Sequence, residues 1–330
     1  MKKRFLLFMI MIALGKSAQA QQDLSFSMYN FNPLFANPAT AGYQDKQWLS
    51  ALGRYQWVGI EGAPKSAVVS FQTPFKNENL AIGALFKYDA IGLMKNMGLD
   101  LSFAYRIRLD EKTRLSLGLM ASMFHYNDQR RDAQGVALND PTLSNVTAWI
   151  PNFGGGLYLY SDRYFIGASA PHLLNLRITD PQANVVGATL SRIYNHYFAS
   201  AGYVFGKEGG VKFKPTTFVK FSENSSLNVD INGNILLQDR FWFGLGYRSG
   251  GDVISEAGEF KQFQGLRGES VIATFKMMAT NFLEVGYSYD YPLSRLNVNT
   301  SGSHEIYIGM ELGKRSGGMR YVSPRYVNYF

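Results

Sequence analysis

Apolar and polar side chains alternate with a period of two along most of the chain, and helical periodicity is almost absent. The longest alternating run is Met97–Leu109, where apolar and aromatic side chains share one face and Asp100, Arg106 and Arg108 share the other. A second run covers Leu227–Leu237. The thirteen residues of the first run exceed the roughly 5–6 of a globular strand and suit a tilted strand that crosses a bilayer, which needs about 9–11 residues.

The same pattern predicts fourteen strands between residues 47 and 313. A soluble β-sandwich also alternates, so the lengths of the connections decide between the two folds. Short predicted turns alternate with long predicted loops, which are Asn127–Ala148, Pro171–Ser191, Ser249–Gly268 and Asp290–His304. Only the loop Ser222–Ser226 is predicted to be short on the long-loop side. An even strand number with short turns at one end is typical of bacterial outer-membrane barrels. The sequence therefore predicts an all-β fold, a transmembrane antiparallel β-barrel.

Aromatic residues near the predicted strand ends are expected to form the two interfacial girdles of such a barrel. These residues are Trp48, Trp57, Trp149, Trp242, Tyr88, Tyr126, Tyr160 and Tyr289.

The first twenty residues combine the three features of a cleaved signal peptide. A cationic stretch, an apolar stretch and an A-x-A cleavage site follow one another at Lys2–Arg4, Phe5–Leu14 and Ala18–Ala20. Their removal lowers the net charge from +8 to +4, because four cations and no acids are lost. We therefore expect a signal peptide over 1–20, an N-terminal periplasmic or plug segment over 21–46, the barrel over 47–313 and a periplasmic tail over 314–330.

Composition narrows the possible chemistry. The chain has no cysteine, which excludes thiolate metal sites, iron–sulfur clusters and a cysteine nucleophile. The four histidines, His125, His172, His196 and His304, show no metal-ligand spacing. We therefore predict no catalytic residue, no metal and no cofactor, and a protein that is not an enzyme. A serine hydrolase within the barrel, with Ser303 and His304 near its outer rim, stays an alternative.

The charged residues of the longest alternating run are expected to face the lumen. Asp100, Arg106 and Arg108 either line an open pore or form ion pairs inside a plugged barrel. The presence of two arginines close to one acid favours the second interpretation.

The segment 21–46 does not fit a simple pore. It contains Asn32–Pro33 and Asn37–Pro38, and a residue before proline avoids the helical region, so we expect an ordered but irregular chain. Its aromatic content is too high for a free linker. We expect it to pack into the lumen or under the barrel floor.

The C-terminal tail is basic and aromatic. It carries Arg320 and Arg325 without any acid, together with Tyr321, Tyr326 and Phe330. Because aromatic side chains favour burial, a periplasmic docking segment is an alternative to a solvated extension.

Four blocks of sequence resemble one protein family. They are FSMYNFNPLFANPATAG (Phe26–Gly42), RYQWVGIEGAPKSAVVSFQTPF (Arg54–Phe75), DAIGLMKNMGLDLSFAYRIRL (Asp89–Leu109), and YSYDYPLSRL followed by SGSHEIYIGMEL within Tyr287–Leu312. These blocks resemble the PorP/SprF family, the outer-membrane barrels of the type IX secretion and gliding-motility system of Bacteroidota. The resemblance covers essentially the whole chain after the signal peptide, except the tail that begins at Lys314.

The resemblance implies a non-enzymatic component of a secretion machine. Such a protein would anchor secreted cargo, or a gliding adhesin with a type B C-terminal domain, at the cell surface. It would also dock to the periplasmic ring lipoprotein and to motor components. Ten residues of the matched motif are candidates for a shared role, with turn geometry and plugging favoured over direct partner contact. They are Asn32, Pro33, Asn37, Pro38, Ala39, Gly42, Trp57, Gly59, Gly62 and Pro64.

The resulting hypothesis is a plugged barrel, surrounded by outer-membrane lipid, that holds cargo at its outer face and docks to envelope partners below. No nucleic acid partner is expected. The alternative is a porin or a small-solute uptake channel. An open lumen lined by Asp100, Arg106 and Arg108 would favour the channel, whereas a lumen filled by residues 21–46 would count against it.

Overall fold

The computed structural model describes residues 24–76, 78–130, 145–179, 189–192, 194–207, 209–222, 227–251, 254–256, 259–261 and 267–313. The predicted signal peptide and the tail residues Arg320, Tyr321, Arg325, Tyr326 and Phe330 lie outside these ranges.

Fourteen antiparallel strands form one closed barrel. In chain order they are β1 (Gln47–Tyr55), β2 (Lys65–Pro74), β3 (Leu80–Ile91), β4 (Met94–Arg108), β5 (Arg114–Asp128), β6 (Val146–Tyr160), β7 (Tyr164–His172), β8 (His196–Tyr203), β9 (Lys212–Ser222), β10 (Leu227–Leu237), β11 (Phe241–Gly251), β12 (Arg267–Met278), β13 (Leu283–Pro292) and β14 (Ser303–Leu312). The sheet has fifteen segments because β8 is interrupted at Val204 and continues as Phe205–Gly206. The predicted fold class and strand number are confirmed.

Closure is made by β1 and β14, which pair from Gln47 with Leu312 to Tyr55 with His304. A closed sheet leaves no unpaired edge, which is what a hydrocarbon environment requires of backbone N–H and C=O groups. No helix in the described part of the chain is long and apolar enough to cross a bilayer.

The two faces of the wall differ as the alternation predicts. On β4, Leu101 is 56% exposed on the outside, whereas its neighbour Asp100 is 2% exposed on the inside. Large apolar side chains occupy other outward positions, among them Leu119, Ile166, Ile231 and Leu245. An apolar exterior and a polar interior are the arrangement of a membrane barrel.

The barrel has two rims. We call the rim at which β1 begins and β14 ends the terminal rim, and the opposite one the loop rim. Long connections lie at the loop rim, and two of them contain short hairpins, Arg177–Thr179 with Thr189–Arg192 and Ile254–Glu256 with Glu259–Lys261. The predicted loop Pro171–Ser191 therefore extends further along the chain, because Arg192 belongs to the first of these hairpins and β8 begins only at His196.

The prediction that Ser222–Ser226 is the single short connection at the loop rim is wrong. Strands β3 and β4 are longer than predicted and are joined there by Gly92 and Leu93 alone. Gly92 has a φ of +55°, a left-handed conformation that glycine adopts without strain, so the two strands can run on into a tight turn.

Half of the predicted aromatic girdle is also wrong. Trp149 is 69% exposed on the outside of the barrel, but four of the predicted girdle residues are buried inside it. These are Trp48, Trp242, Tyr126 and Tyr160. Proximity to a strand end places a residue at the height of the interface, whereas its parity along the strand decides which face it occupies.

Candidate functional site

Residues 24–46, which we call the plug segment, run through the lumen from the loop rim to the terminal rim. Ser25 accepts a hydrogen bond from Lys220, and Ser27 donates one to Asp290. Both partners lie near the loop rim. Lys46 at the other end pairs with Glu311 at 3.5 Å, near the terminal rim. Most side chains between these ends are buried. The segment that was expected to be periplasmic or a plug therefore lies inside the barrel, and only its last residues reach the terminal rim.

Three single turns of 3-10 helix shape the plug segment: Tyr29–Phe31, Pro33–Phe35 and Pro38–Thr40. Each of the last two begins with a proline, whose fixed φ and missing N–H suit the first position of a turn. The Asn37 side chain caps the third turn by accepting a hydrogen bond from the Ala39 N–H at 2.9 Å. The two Asn–Pro pairs thus convert an extended chain into a compact one.

The plug segment packs against the barrel wall at positions where the wall residue is glycine. A Cβ atom at Gly118 would overlap the backbone of Pro38 and Ala39, and one at Gly156 would overlap the Asn37 side chain. Gly83 faces Leu34 in the same way. Asn37 also donates to the Leu157 carbonyl at 3.0 Å. We call Gly83, Gly118 and Gly156 the glycine notches, because the plug segment fits into the space that their missing side chains leave.

Aromatic side chains fill the middle of the lumen. Tyr29 stacks on Phe218 with ring centroids 4.5 Å apart, and Phe31 contacts Trp242 and Tyr307 edge-on or tilted. Asn232 donates to the Tyr29 hydroxyl at 2.8 Å. Burial of such rings contributes more to holding the segment than any single hydrogen bond.

Of the three charged residues predicted to face the lumen, two are buried in ion pairs and one is exposed. Arg106 is 1% exposed and binds the Asp45 carboxylate and the Gly42 carbonyl, both in the plug segment. Asp100 is also buried, and its partner is Lys87 at 2.8 Å on the neighbouring strand rather than an arginine. Arg108 has the same parity but is exposed, because β4 ends there at the terminal rim. Buried ion pairs, not an open charged pore, characterise this part of the lumen.

A cluster of six charged side chains surrounds the first residues of the plug segment. The latch cluster, as we call it, consists of Arg54, Lys220, Asp230, Arg248, Asp290 and Glu305. Glu305 accepts hydrogen bonds from the backbone N–H groups of Ser27 and Met28 at 2.7 and 2.9 Å. Sequence reasoning missed this cluster, although each member has the inward parity of its strand.

The loop between β1 and β2 forms an ordered surface at the loop rim. Val58 exchanges backbone hydrogen bonds with Ser301 and Gly302 at 2.8 Å, and the Gly62 carbonyl accepts from Gly92 at 2.9 Å. Three connections, residues 56–64, 92–93 and 293–302, are thereby joined into what we call the rim platform. Val298, 82% exposed, is an apolar residue on it.

The ten residues of the predicted motif do not form one site. Asn32, Pro33, Asn37, Pro38, Ala39 and Gly42 lie in the plug segment inside the lumen. Trp57, Gly59, Gly62 and Pro64 lie in the rim platform. Three of these four carry positive φ angles, +50° at Trp57, +103° at Gly59 and +70° at Gly62, which fix the shape of the loop. The Pro64 carbonyl accepts from Gln56 and closes its base.

The residues of the alternative hydrolase site are not brought together. Ser303 is buried on the inner face and accepts a hydrogen bond from the Trp57 N–H at 3.2 Å. His304 has the opposite parity and binds the Tyr287 hydroxyl at 2.6 Å. The described residues also include no group of three or more side chains arranged to hold a metal ion.

Several solved structures share the barrel architecture at low sequence identity. The toluene transporter TbuX of Ralstonia pickettii is 14% identical, with 90% of this chain and 97% of that chain covered and a TM-score of 0.49. A FadL homologue of Pseudomonas aeruginosa is 11% identical, with 91% and 97% covered and a TM-score of 0.48. Omp33 of Acinetobacter baumannii is 9% identical, with 81% and 98% covered and a TM-score of 0.42. All three TM-scores lie below 0.5, so these likenesses say nothing about the function of this chain.

Family membership rests on the sequence match. No curated protein matches the chain. The family described as type IX secretion system membrane protein PorP/SprF matches residues 18–310, a range that holds the plug segment, the rim platform and thirteen complete strands. This family, together with a closed barrel whose exterior is apolar, places the protein in the outer membrane. The chain belongs to the PorP/SprF family of type IX secretion system membrane proteins.

Proposed function

We propose that this barrel acts as a surface anchor of the type IX secretion system. It holds secreted cargo, or a gliding adhesin with a type B C-terminal domain, at the loop rim. It docks to the periplasmic ring lipoprotein and motor components at the terminal rim. In this role the barrel contributes surfaces and a fixed position in the membrane, and performs no chemistry.

The observation that carries the proposal is the occupied lumen. Plug-segment side chains such as Phe26, Met28 and Ala39 are fully buried inside the barrel. A porin, by contrast, keeps a polar, water-filled channel through its lumen. An occupied lumen leaves the two rims as the surfaces on which partners can bind.

The rim platform supports the surface half of the proposal. Its three connections are tied together by backbone hydrogen bonds, so it presents a preformed shape to a partner. A preformed surface lowers the ordering cost of association. The exposed Val298 at its edge is the type of residue that becomes buried in the core of an interface.

The first test is a gentle-detergent pull-down of the tagged native protein with mass spectrometry of the recovered proteins. Recovery of a large secreted protein together with periplasmic ring lipoproteins is the expected result. A solitary barrel that conducts ions in a planar bilayer would contradict the anchor proposal and favour the porin or uptake-channel alternative.

Val298→Glu is expected to release cargo without affecting the barrel. A charge placed in the buried core of an interface costs about 2 kcal/mol or more, which corresponds to about 30-fold weaker binding. Cargo recovered in the pull-down should fall accordingly. Val211→Glu is the matched control, because Val211 is an apolar residue 65% exposed near the terminal rim. Equal cargo loss in both variants would show that cargo does not bind at the rim platform.

Deleting residues 320–330 is expected to leave the barrel assembled but to remove periplasmic partners from the pull-down. The tail is basic and aromatic, a composition suited to protein contact. Folding is checked by gel electrophoresis, in which an unheated, folded barrel migrates at a different position from the heated, unfolded protein. If the deletion instead prevents membrane insertion, the tail acts as an assembly signal and not as a docking segment.

A further inference from the structure

We propose that the outer surface of strands β2, β3 and β4 binds an outer-leaflet glycolipid and holds its phosphate group between Lys65 and Lys95. The site lies on the lipid-facing wall, next to the loop rim. This inference does not depend on which partners the two rims bind.

The pairing of three neighbouring strands places the two lysines on either side of one small residue. Lys65, the first residue of β2, lies opposite Ala90 on β3, and Lys95, near the start of β4, lies opposite the same Ala90. Paired residues point to the same face of a sheet and neighbouring strands are about 4.8 Å apart, so the two lysine Cα atoms are about 10 Å apart. Two flexible lysine side chains can reach one phosphate across this distance, because the methyl group of Ala90 leaves the space between them open.

The face that carries the two lysines is the one that contacts lipid. Val69, four residues after Lys65, and Met97, two residues after Lys95, are both 44% exposed. Residues at even spacing along a strand share a face, so the lysines share the face of these apolar side chains. Both lysines are themselves exposed. They therefore end the apolar wall on the side of the loop rim.

The depth of the two lysines in the membrane is that of the lipid headgroups. The long connections of outer-membrane barrels lie on the cell-surface side, so the loop rim lies in the outer leaflet. Tyr55 lies opposite Lys65 on the same face, and Tyr88 lies opposite Ala67, two residues further along β2. Tyrosine is enriched where hydrocarbon meets headgroups. The Lys65 ammonium group lies 4.9 Å from the centre of the Tyr55 ring, a cation–π contact that keeps it in this layer.

The protein does not neutralise these two cations. Within the part of the chain that the structure describes, no carboxylate forms an ion pair with Lys65 or Lys95. The inward-facing Lys87 of β3, by contrast, pairs with Asp100 at 2.8 Å. Two unpaired ammonium groups at headgroup depth attract an anionic headgroup. Phosphorylated glycolipid is the main lipid of the outer leaflet of an outer membrane, so its phosphate is the anion that charge and depth favour.

The apolar wall supplies the second half of the site. Phe86 and Met97, which are 46% and 44% exposed, lie on the same face between the lysines and the middle of the membrane. Acyl chains of a lipid whose phosphate is held by Lys65 and Lys95 would pack on these side chains. Binding should therefore require both the phosphate and the lipid chains, and inorganic phosphate alone should not compete.

Native mass spectrometry of the detergent-solubilised barrel, titrated with monophosphoryl lipid A, tests this inference. Lys65→Gln/Lys95→Gln is expected to weaken binding about 30-fold, since each interfacial cation contributes about fivefold. Lys76→Gln/Lys112→Gln is the matched control, because it removes two exposed lysines from turns at the terminal rim and changes the net charge equally. Lipid A from which the phosphate has been removed should bind the wild-type barrel about 30-fold more weakly as well.

Ala90→Glu gives an independent measurement that leaves both lysines in place. A carboxylate at this position would pair with Lys65 and Lys95, and it should weaken lipid binding as much as the double lysine variant does. Should Lys65→Gln/Lys95→Gln fail to fold, Ala90→Glu carries the test.

Four results would overturn the proposal. The first two are unchanged binding in the lysine double variant and equal weakening in the terminal-rim control. The third is tight binding of lipid A without phosphate, which would show that the acyl chains alone are recognised. The fourth is displacement of the lipid by an equal concentration of inorganic phosphate, which would show that the site recognises a free anion and not a lipid.

Discussion

Replacing Gly118 with valine is expected to displace the plug segment and open the lumen to ions. The new side chain would occupy the space of the Pro38–Ala39 backbone, which cannot move aside as the end of a flexible side chain can. Overpacking of this kind costs about 1–3 kcal/mol and more when backbone is the neighbour. We expect conductance steps from the variant in a planar bilayer and none from the wild-type barrel.

Gly53→Val is the matched control for this experiment. Gly53 lies on β1, and a Cβ atom there would meet no other atom within 4 Å. It should insert normally and remain silent in the bilayer. A folded Gly118→Val barrel that also remains silent would show that the plug segment adapts to the intrusion. In that case we would expect no conductance from Gly156→Ala either, although its new methyl group crowds Asn37.

Glu284→Gln is expected to destabilise the barrel by about 3–5 kcal/mol, because it leaves a buried ammonium group without its carboxylate. Lys276 and Glu284 pair at 2.9 Å, and their side chains are only 2% and 3% exposed. The Lys276 ammonium also lies 4.6 Å from the centre of the Phe31 ring, so the pair connects wall and plug segment. Denaturant unfolding in vesicles, followed by tryptophan fluorescence, measures the change.

Two comparisons make this result interpretable. Glu311→Gln removes the partner of Lys46 from a pair that is partly exposed, with side chains 24% and 19% accessible, and should cost about 1 kcal/mol or less. The double variant Lys276→Met/Glu284→Leu should recover most of the stability, because two apolar side chains need no partners. A double variant as unstable as Glu284→Gln would indicate that the loss comes from packing and not from the unpaired charge.

The strands were predictable because alternate residues of a membrane barrel strand face the lipid and the lumen, so apolar and polar side chains alternate along the sequence. Strand β10 agrees with the predicted Leu227–Leu237 at both ends, and the alternation of β4 places Leu101 outside and Asp100 inside as observed. The same rule explains the errors at Trp48 and Trp242. Those residues were assigned from their height along the barrel, although their parity turns them inward.

The candidate site was only partly predictable. The Asn–Pro turns and the aromatic content of residues 21–46 indicated an ordered segment that needs burial. The chain alone could not show that Asn37 meets Gly156, because the notch and the residue that fills it are far apart in sequence and neither is unusual by itself. Nor could it show that Asp100 pairs with Lys87, since that contact depends on the register of β3 against β4.

The sequence by itself determined the barrel, its strand number and the family, because these depend on a period-two pattern and on contiguous motifs. Only the tertiary structure decided what lies within the barrel. Ser27 and Glu305 are 278 residues apart and meet because β1 pairs with β14 and closes the wall around the plug segment. Closure brings inward residues from distant strands to one point, and a local pattern contains no information about which of them will be neighbours.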